Sequence, residues 1–456
     1  MRRARAERRS PQALLGGMLL GVLCATLGLP TPACADDLPL HAASFTHPGW
    51  AATRGGAGGR IERVTTLAAD GPGSLRAALQ ARGPRTVVFE VGGVIDLAGG
   101  QLRINEPQVT VAGQTAPEPG ITLIRGELLV ATHDVIVQHL RIRPGAYGRA
   151  KRSGQDHDGL STADGAQRLI VDHCSFSWAT DENLSVGGSR FKGATPDAWR
   201  AATSHAITYS HNLIVEGLAD SVHAKGEHSK GTLVHDNATR ILLLGNVYAS
   251  NRERNALFKG GARGAMVNNL IVNPGQRAVH YNLVAHEWDG QPWQVGRLTL
   301  VGNAYRAGPD TAENLPLFTL GGAGDVELYE ADNIAQDRQG RPLPISGRYT
   351  SGPAQIVALR EPDLPEGLRW LAPQRLEARL PLLVGARPWA RDAIDFKQLS
   401  DIAEDRGRIV DDETQSSGLP RVAAPTRRAF VESEWHLADM SPRAGWASLF
   451  PGGKLP

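Results

Sequence analysis

The chain punctuates itself with asparagine. Ser210-His211-Asn212-Leu213-Ile214, Leu244-Gly245-Asn246-Val247-Tyr248, Val267-Asn268-Asn269-Leu270-Ile271 and Val301-Gly302-Asn303-Ala304-Tyr305 each end a short apolar run in the same way. Asn212, Asn246, Asn269 and Asn303 stand 34, 23 and 34 residues apart, and Asp172-His173-Cys174-Ser175-Phe176 reads as an earlier copy. Recurrence over tens of residues marks a solenoid whose coils stack. Asparagine at a turn tolerates left-handed backbone and can bond the asparagine of the next coil. Unequal spacing argues against a propeller, because a solenoid takes up extra residues as loops on one coil. The pattern predicts an all-β chain folded as a right-handed, single-stranded parallel β-helix. A β-sandwich with coincidental asparagine turns is the competing architecture.

The rest of the pattern fits this reading. Short β-branched runs recur between Gly, Asn and Asp turns, among them Thr86 to Val91, Val109 to Ala112, Ile121 to Ile124, Leu128 to Ala131 and Val135 to Ile142. With 52 Gly, 29 Pro and 5% aromatics, the composition suits a turn-rich β protein. Leu75 to Gln80 is a short helix candidate capped by Ser74. Beyond about Pro342 the repeat fades into Pro-, Arg- and Leu-rich stretches, with helix candidates between Trp389 and Arg406. Trp370, Trp389, Trp435 and Trp446 suggest that this tail packs on the solenoid as an irregular appendage. The expected division is a leader over 1–35, the β-helix over 36–340 and a C-terminal extension over 341–456.

Arg2, Arg3, Arg5, Arg8 and Arg9 precede an apolar run from Leu14 to Leu29 and the small-residue site Ala33-Cys34-Ala35. That order reads as a secretory signal peptide, so the protein is expected outside the cytoplasm, extracellular or periplasmic, after cleavage near Ala35. The run is short and interrupted by Gly, which disfavours a membrane anchor. Removing the leader takes away five arginines and one glutamate, moving the formal charge from +2 to −2. A near-neutral chain has no global basic field for nucleic acid. Only Cys174 of the three cysteines remains, so no internal disulfide can form, and a small buried hydrophobe is its expected role. We expect a monomer with no membrane association once the leader is gone.

The chemistry-bearing residues are carboxylates and, further on, cations. Asp156 and Asp158 flank His157 and would share a face in an extended segment. Asp181 and Glu182 follow the run containing Asp172. Oxygen ligands on adjacent coils are what calcium (Ca2+) requires, although any single acidic turn is ordinarily just solvated. Asp172, between Val171 and His173, is expected to satisfy buried donors. Arg254 and Lys259 bracket Ala256-Leu257-Phe258 and can face one groove if the segment bends. Lys225 and Lys230 extend the basic patch. His223 and His228 lack an evident third zinc ligand.

These motifs resemble the pectate lyase family, the secreted parallel β-helix enzymes of polysaccharide lyase family 1. The likeness spans roughly residues 55 to 320. It rests on Val111-Ala112-Gly113-Gln114-Thr115-Ala116-Pro117, Arg141-Ile142-Arg143-Pro144-Gly145, Val171 through Trp178 with Asp181-Glu182, and Glu253-Arg254 through Lys259-Gly260-Gly261. The resemblance implies that Asp156 and Asp158 are the first calcium-binding acids, with Asp181 and Glu182 next. It makes Arg254 the base and puts Lys259 and Lys225 on the acidic substrate. Two positions depart from the family pattern. Lys259 stands where an arginine is usual, giving a point charge instead of a bidentate fork. Ser185 stands where another calcium-ligating aspartate is usual, which implies weak calcium binding until a substrate carboxylate completes the shell.

The implied reaction is calcium-dependent β-elimination in α-1,4-linked polygalacturonate (pectate), with Arg254 removing the C5 proton. Calcium-independent lysis of esterified pectin, a non-catalytic polysaccharide-binding β-helix and hydrolysis by paired carboxylates are the alternatives.

Overall fold

The structure is a computed structural model that describes residues 47–451. The expected leader lies outside the described residues. Among the described residues, no helix is long and apolar enough to cross a membrane.

Three sheets wind about one axis, with eleven strands in the first, ten in the second and nine in the third. One coil shows the path. Gln167–Asp172 lies in the first sheet, Ser175–Ser177 in the second and Glu182–Val186 in the third, before His205–Ser210 returns to the first one rung on. Strands within these three sheets pair in parallel except Thr426–Arg427, which joins the second sheet antiparallel to Val91–Asp96. Strands are short because each coil must turn three corners. The continuous run expected from Val135 to Ile142 is accordingly split into His133–Gln138 and Leu140–Arg143, with His139 at φ 56° on the corner. Inward residues such as Leu123, Leu169, Phe176, Leu184, Ile207, Phe258 and Tyr281 stack into a single core. Each large apolar side chain so buried contributes roughly 1.5–3 kcal/mol. Cys174 lies in this core, and burial pushes its thiol well above the usual range.

The asparagines form a ladder at the corner between the first and second sheets. The amide of Asn212 donates to Oδ1 of Asn246 at 3.0 Å, Asn246 to Asn269 at 3.0 Å, and Asn269 to Asn303 at 3.0 Å. Asn303 donates in turn to Asn333, a rung the sequence pattern did not mark. Each side chain also caps backbone groups of its neighbours, for example Cys174 N to Asn212 Oδ1 at 2.9 Å. A buried polar group left unpaired costs about 1–3 kcal/mol, so the ladder fixes where each coil turns.

Parallel pairing runs past residue 340, through Ser346–Arg348 and Ile356–Ala358. These last strands are half-exposed because no further coil covers them, and so they carry no apolar signature.

The tail then decides which outer faces stay open. Helices Leu376–Leu383 and Ala393–Ala403 bury Leu213, Val215, Val247, Ala249, Leu270 and Val272 on the second sheet. Trp370 covers Leu244, Val267 and Val301 on the first sheet, and Phe430, Trp435 and Met440 cover Val88 and Ala112. Among the described residues, the outer face of the third sheet receives no such apolar cover from the tail, and the candidate catalytic residues gather there.

Candidate active site

Outward residues of the third sheet line up as Ser185, Leu233, Leu257, His280 and Thr319 on successive rungs, opposite in phase to the core residues Leu184, Phe258 and Tyr281. They form the floor of a trough whose charged walls come from the corners that lead into the sheet.

Asp158 sits two residues before strand Leu160–Thr162, Asp181 immediately precedes strand Glu182–Val186, and Glu182 opens it. Parallel pairing of these strands brings oxygens of all three within 4.8 Å of one another. Asp158 accepts from the Glu182 N–H at 2.9 Å and from the Ser185 hydroxyl at 2.7 Å. Ser185 therefore orients a carboxylate. Burial, reinforced by the like charge of Asp181, raises the Asp158 carboxyl well above the usual range. Two carboxylates forced together in a half-buried pocket call for a cation, and an all-oxygen donor set suits a hard one. The residues present thus fit calcium.

Asp156 does not join them. The expectation that it shares a face with Asp158 needs a strand, but the chain has no regular structure until Leu160, and Asp156 is exposed.

Arg254 lies at the corner before strand Leu257–Lys259. Three asparagine side chains brace that corner, Asn251 donating to Asn255 at 3.0 Å and accepting from Asn183 at 3.1 Å. The backbone at Arg254 takes a left-handed φ of 61°. A non-glycine residue holds that conformation only where its surroundings enforce it. Its guanidinium contacts Glu182, so the arginine faces the carboxylate cluster. Burial lowers the Arg254 pKa, while Asp181 and Asp158 oppose the shift.

The other cations divide. Lys259 is buried and bound to Glu287 and, at 3.5 Å, to Asp236; Arg190 bonds Glu287 at 2.9 Å in the same network. Lys225 is exposed on the loop ahead of strand Lys230–Val234. The structure instead places Lys230 in register with Glu182, next to the Arg254 corner through its bridge to Glu253. Burial lowers its ammonium to about 8, with Lys225 and Arg277 adding to the shift and Asp181 opposing it. Arg277 and Tyr349 complete the wall, the guanidinium lying 4.8 Å from the ring centroid. Burial pushes the Tyr349 phenol up to about 12.

Asp181 has a second set of neighbours, His223 Nε2 at 3.5 Å and His228 Nε2 at 3.4 Å. It is the third ligand-type residue that the sequence did not reveal. The tautomers nevertheless differ. His223 Nδ1 accepts from the Lys225 N–H at 3.1 Å, so its Nε2 carries a proton and donates toward Asp181. His228 Nδ1 donates to the Glu227 carbonyl at 3.0 Å, and burial lowers its pKa to about 4. His223 thus holds Asp181 in place, and the two rings do not present two free imidazole nitrogens. Asp172 lies apart from the trough, accepting from His173 at 2.8 Å and from Ser210 at 2.7 Å.

Known proteins share this arrangement of coils. "Probable pectate lyase C" of Neosartorya fischeri is 30% identical over 372 residues, covering 80% of this chain and 78% of that protein. "Probable pectate lyase C" of Aspergillus flavus is 30% identical over 370 residues with the same coverage. Among solved structures, the cedar pollen allergen Jun a 1 superposes with a TM-score of 0.53 at 17% identity, covering 74% of this chain and 92% of its own. A thermostable pectate lyase gives 0.50 at 14% identity, covering 74% and 96%. At these identities the superpositions speak for the fold alone. No protein-family profile matches the chain.

Proposed function

Because the chain belongs to the pectate lyase family, we propose that it cleaves α-1,4-linked polygalacturonate by calcium-dependent β-elimination in the third-sheet trough. One observation carries the reading: Arg254 is braced on a left-handed corner and directed at the crowded carboxylates Asp158, Asp181 and Glu182.

Asp158 and Asp181 would hold calcium, with Glu182 beside them. When bound, the ion supplies positive charge that stabilises a substrate carboxylate and the negative charge developing next to it. The remaining roles fall to side chains of the chain itself. Lys230 and Arg277 stand on the wall, both paired to Glu253, and can share that charge with uronate carboxylates. Arg254 takes the C5 proton, the C4–O4 bond breaks, a C4–C5 double bond forms, and the departing oxygen takes a proton from water. An arginine is ordinarily protonated, because its pKa exceeds about 12, and so has no free lone pair with which to take a proton. Burial moves Arg254 in the required direction. A cation occupying the carboxylate cluster would remove the opposing influence of Asp181 and Asp158.

Lys259 is engaged by Asp236 and Glu287, so any grip on substrate from it requires rearrangement of that network. Lys225, being exposed, can reach only a substrate unit at the edge of the trough. Asp156 stays in the reading only as an outlying acid. We further read residues 1–35 as an export leader, the mature protein as a monomer, and 341–456 as the last coil plus its covering extension.

The test is ultraviolet absorbance from the unsaturated product on mixing with polygalacturonate, against highly esterified pectin and against reducing ends released. Absorbance that appears on polygalacturonate and vanishes with chelator supports the reading. Reducing ends without absorbance would mean hydrolysis, and equal rates on esterified pectin in chelator would mean the calcium-independent lyase.

A further inference from the structure

On the other edge of the third sheet, the turns leading into the first sheet enclose an open cavity of about 580 Å³. Trp50, Arg200, His205, Arg240, Arg263 and Asp363 line it. Arg200 comes from helix Pro196–Ala202, while His205 and Arg263 open strands His205–Ser210 and Arg263–Val267 and Arg240 lies at the start of Thr239–Leu244. Three guanidiniums and an imidazole thus face one carboxylate.

Just outside the cavity, Arg297, the rung partner of Arg263, is matched by Glu327 at 2.7 Å. Arg200 finds Gln294 at 3.0 Å and the exposed Asp197 at 3.3 Å. The Arg263 guanidinium has no hydrogen-bond or ion-pair partner among the described residues, and its Nε is closed off from solvent with no acceptor. Burial lowers its pKa and Arg200 and Arg297 repel it further, while the more weakly acting Glu327 and Asp363 oppose the shift. A half-buried cation with no bonded partner, in a cavity where cations outnumber carboxylates, is costly unless a further anion joins it. Carboxylates are the matching shape, because the guanidinium fork binds them bidentately. Trp50 adds a flat apolar wall of the kind on which a sugar ring can lie.

We propose that this cavity is a second carbohydrate site, binding uronate units of the polymer away from the catalytic trough. The inference rests on the polygalacturonate reading above. Its use is attachment: a chain held at one site meets the other at raised effective concentration. The site needs no calcium, since the guanidiniums carry the charge themselves.

Calorimetric titration of galacturonate oligomers into the full-length Arg254→Ala protein in chelator tests it. We expect binding that weakens as salt rises, is absent for an uncharged glucan oligomer, and falls by about tenfold or more in Arg263→Gln and in Arg240→Glu. Arg240 is exposed, so that variant keeps the inference testable if Arg263→Gln disturbs folding. Failure to bind, equal binding of the uncharged glucan, or affinity unmoved in both variants overturns the proposal. Product absorbance from the unmutated enzyme is scored separately. Elimination without cavity binding sinks this inference alone, and cavity binding without elimination sinks the lyase reading alone.

Discussion

The third-sheet trough and the seam under the C-terminal helices are built from the same residue types on the same coils, yet their charges are arranged in opposite ways. In the seam, Arg141 and Arg143 emerge fully buried from strand Leu140–Arg143 and meet Asp392 and Asp395 of the tail. Arg143 bonds Asp392 at 2.6 Å and Asp395 at 2.7 Å, and Arg141 reaches Asp395 at 3.3 Å. Ser175 donates to the same Asp395 at 2.7 Å. Burial works against both partners, but each holds the other charged, raising the Arg143 pKa and depressing that of Asp392. In the trough, by contrast, Asp158 and Asp181 press against each other, and Arg254 and Lys230 are pushed toward their neutral forms. A matched and closed cluster holds the fold together. A mismatched and open one is held in readiness for a ligand.

If the contrast is real, substitutions in the two regions must fail differently. Arg254→Ala should lower the elimination rate by about 10³-fold, within the usual range for loss of a general base, while leaving the unfolding midpoint nearly unchanged. A variant that stays active breaks the assignment, and one that unfolds moves Arg254 to the structural side. Asp395→Ala should do the reverse. Stranding buried Arg141 and Arg143 costs about 3–5 kcal/mol in urea unfolding, with activity per folded molecule retained. Stability close to the unmutated value would show that the seam does not clamp the tail.

A smaller effect concerns pH. The Lys230 ammonium titrates near 8 in the folded chain instead of at 10.5. Its charge is therefore present below about pH 8 and lost above it. KM for polygalacturonate should rise a few-fold as pH passes about 8, while kcat rises as Arg254 becomes easier to deprotonate. For folding the sign is opposite to that of a lysine whose pKa is raised, because burial outweighs the nearby Glu253 at 3.5 Å. Between about 8 and 10.5 the unfolded chain binds more protons at this position, so its contribution to stability improves as pH climbs. Lys230→Arg should remove the KM step; a step that persists assigns it to another group.

What could be read from the chain follows the same division. The asparagine turns were legible because a corner residue is selected locally, by its tolerance of left-handed backbone and its reach to the next rung. Ser74 at the N-cap of Leu75–Gln80 was legible for a similar local reason. Arg254 stood out through its motif. Lys230 did not outrank Lys225, because its place opposite Glu182 depends on how much chain the preceding loop consumes, which spacing alone does not fix. The meeting of His223 and His228 with Asp181 is non-local for the same reason. Tyr349 was invisible because the last coil has no neighbour above it and so loses its apolar pattern. Asp156 departs from expectation because a period of two holds only within a strand, and its segment is not one.

The central claim is that Asp158 and Asp181 are crowded together in order to seat a cation opposite Arg254. Its most direct test is the initial rate of unsaturated-product formation on polygalacturonate, titrated with calcium, for the unmutated chain and for Asp158→Asn. The account predicts no rate in chelator, a saturable rise with calcium, and a large displacement of that rise or its loss in the variant. A rate indifferent to calcium, or a calcium dependence that Asp158→Asn leaves in place, would contradict it.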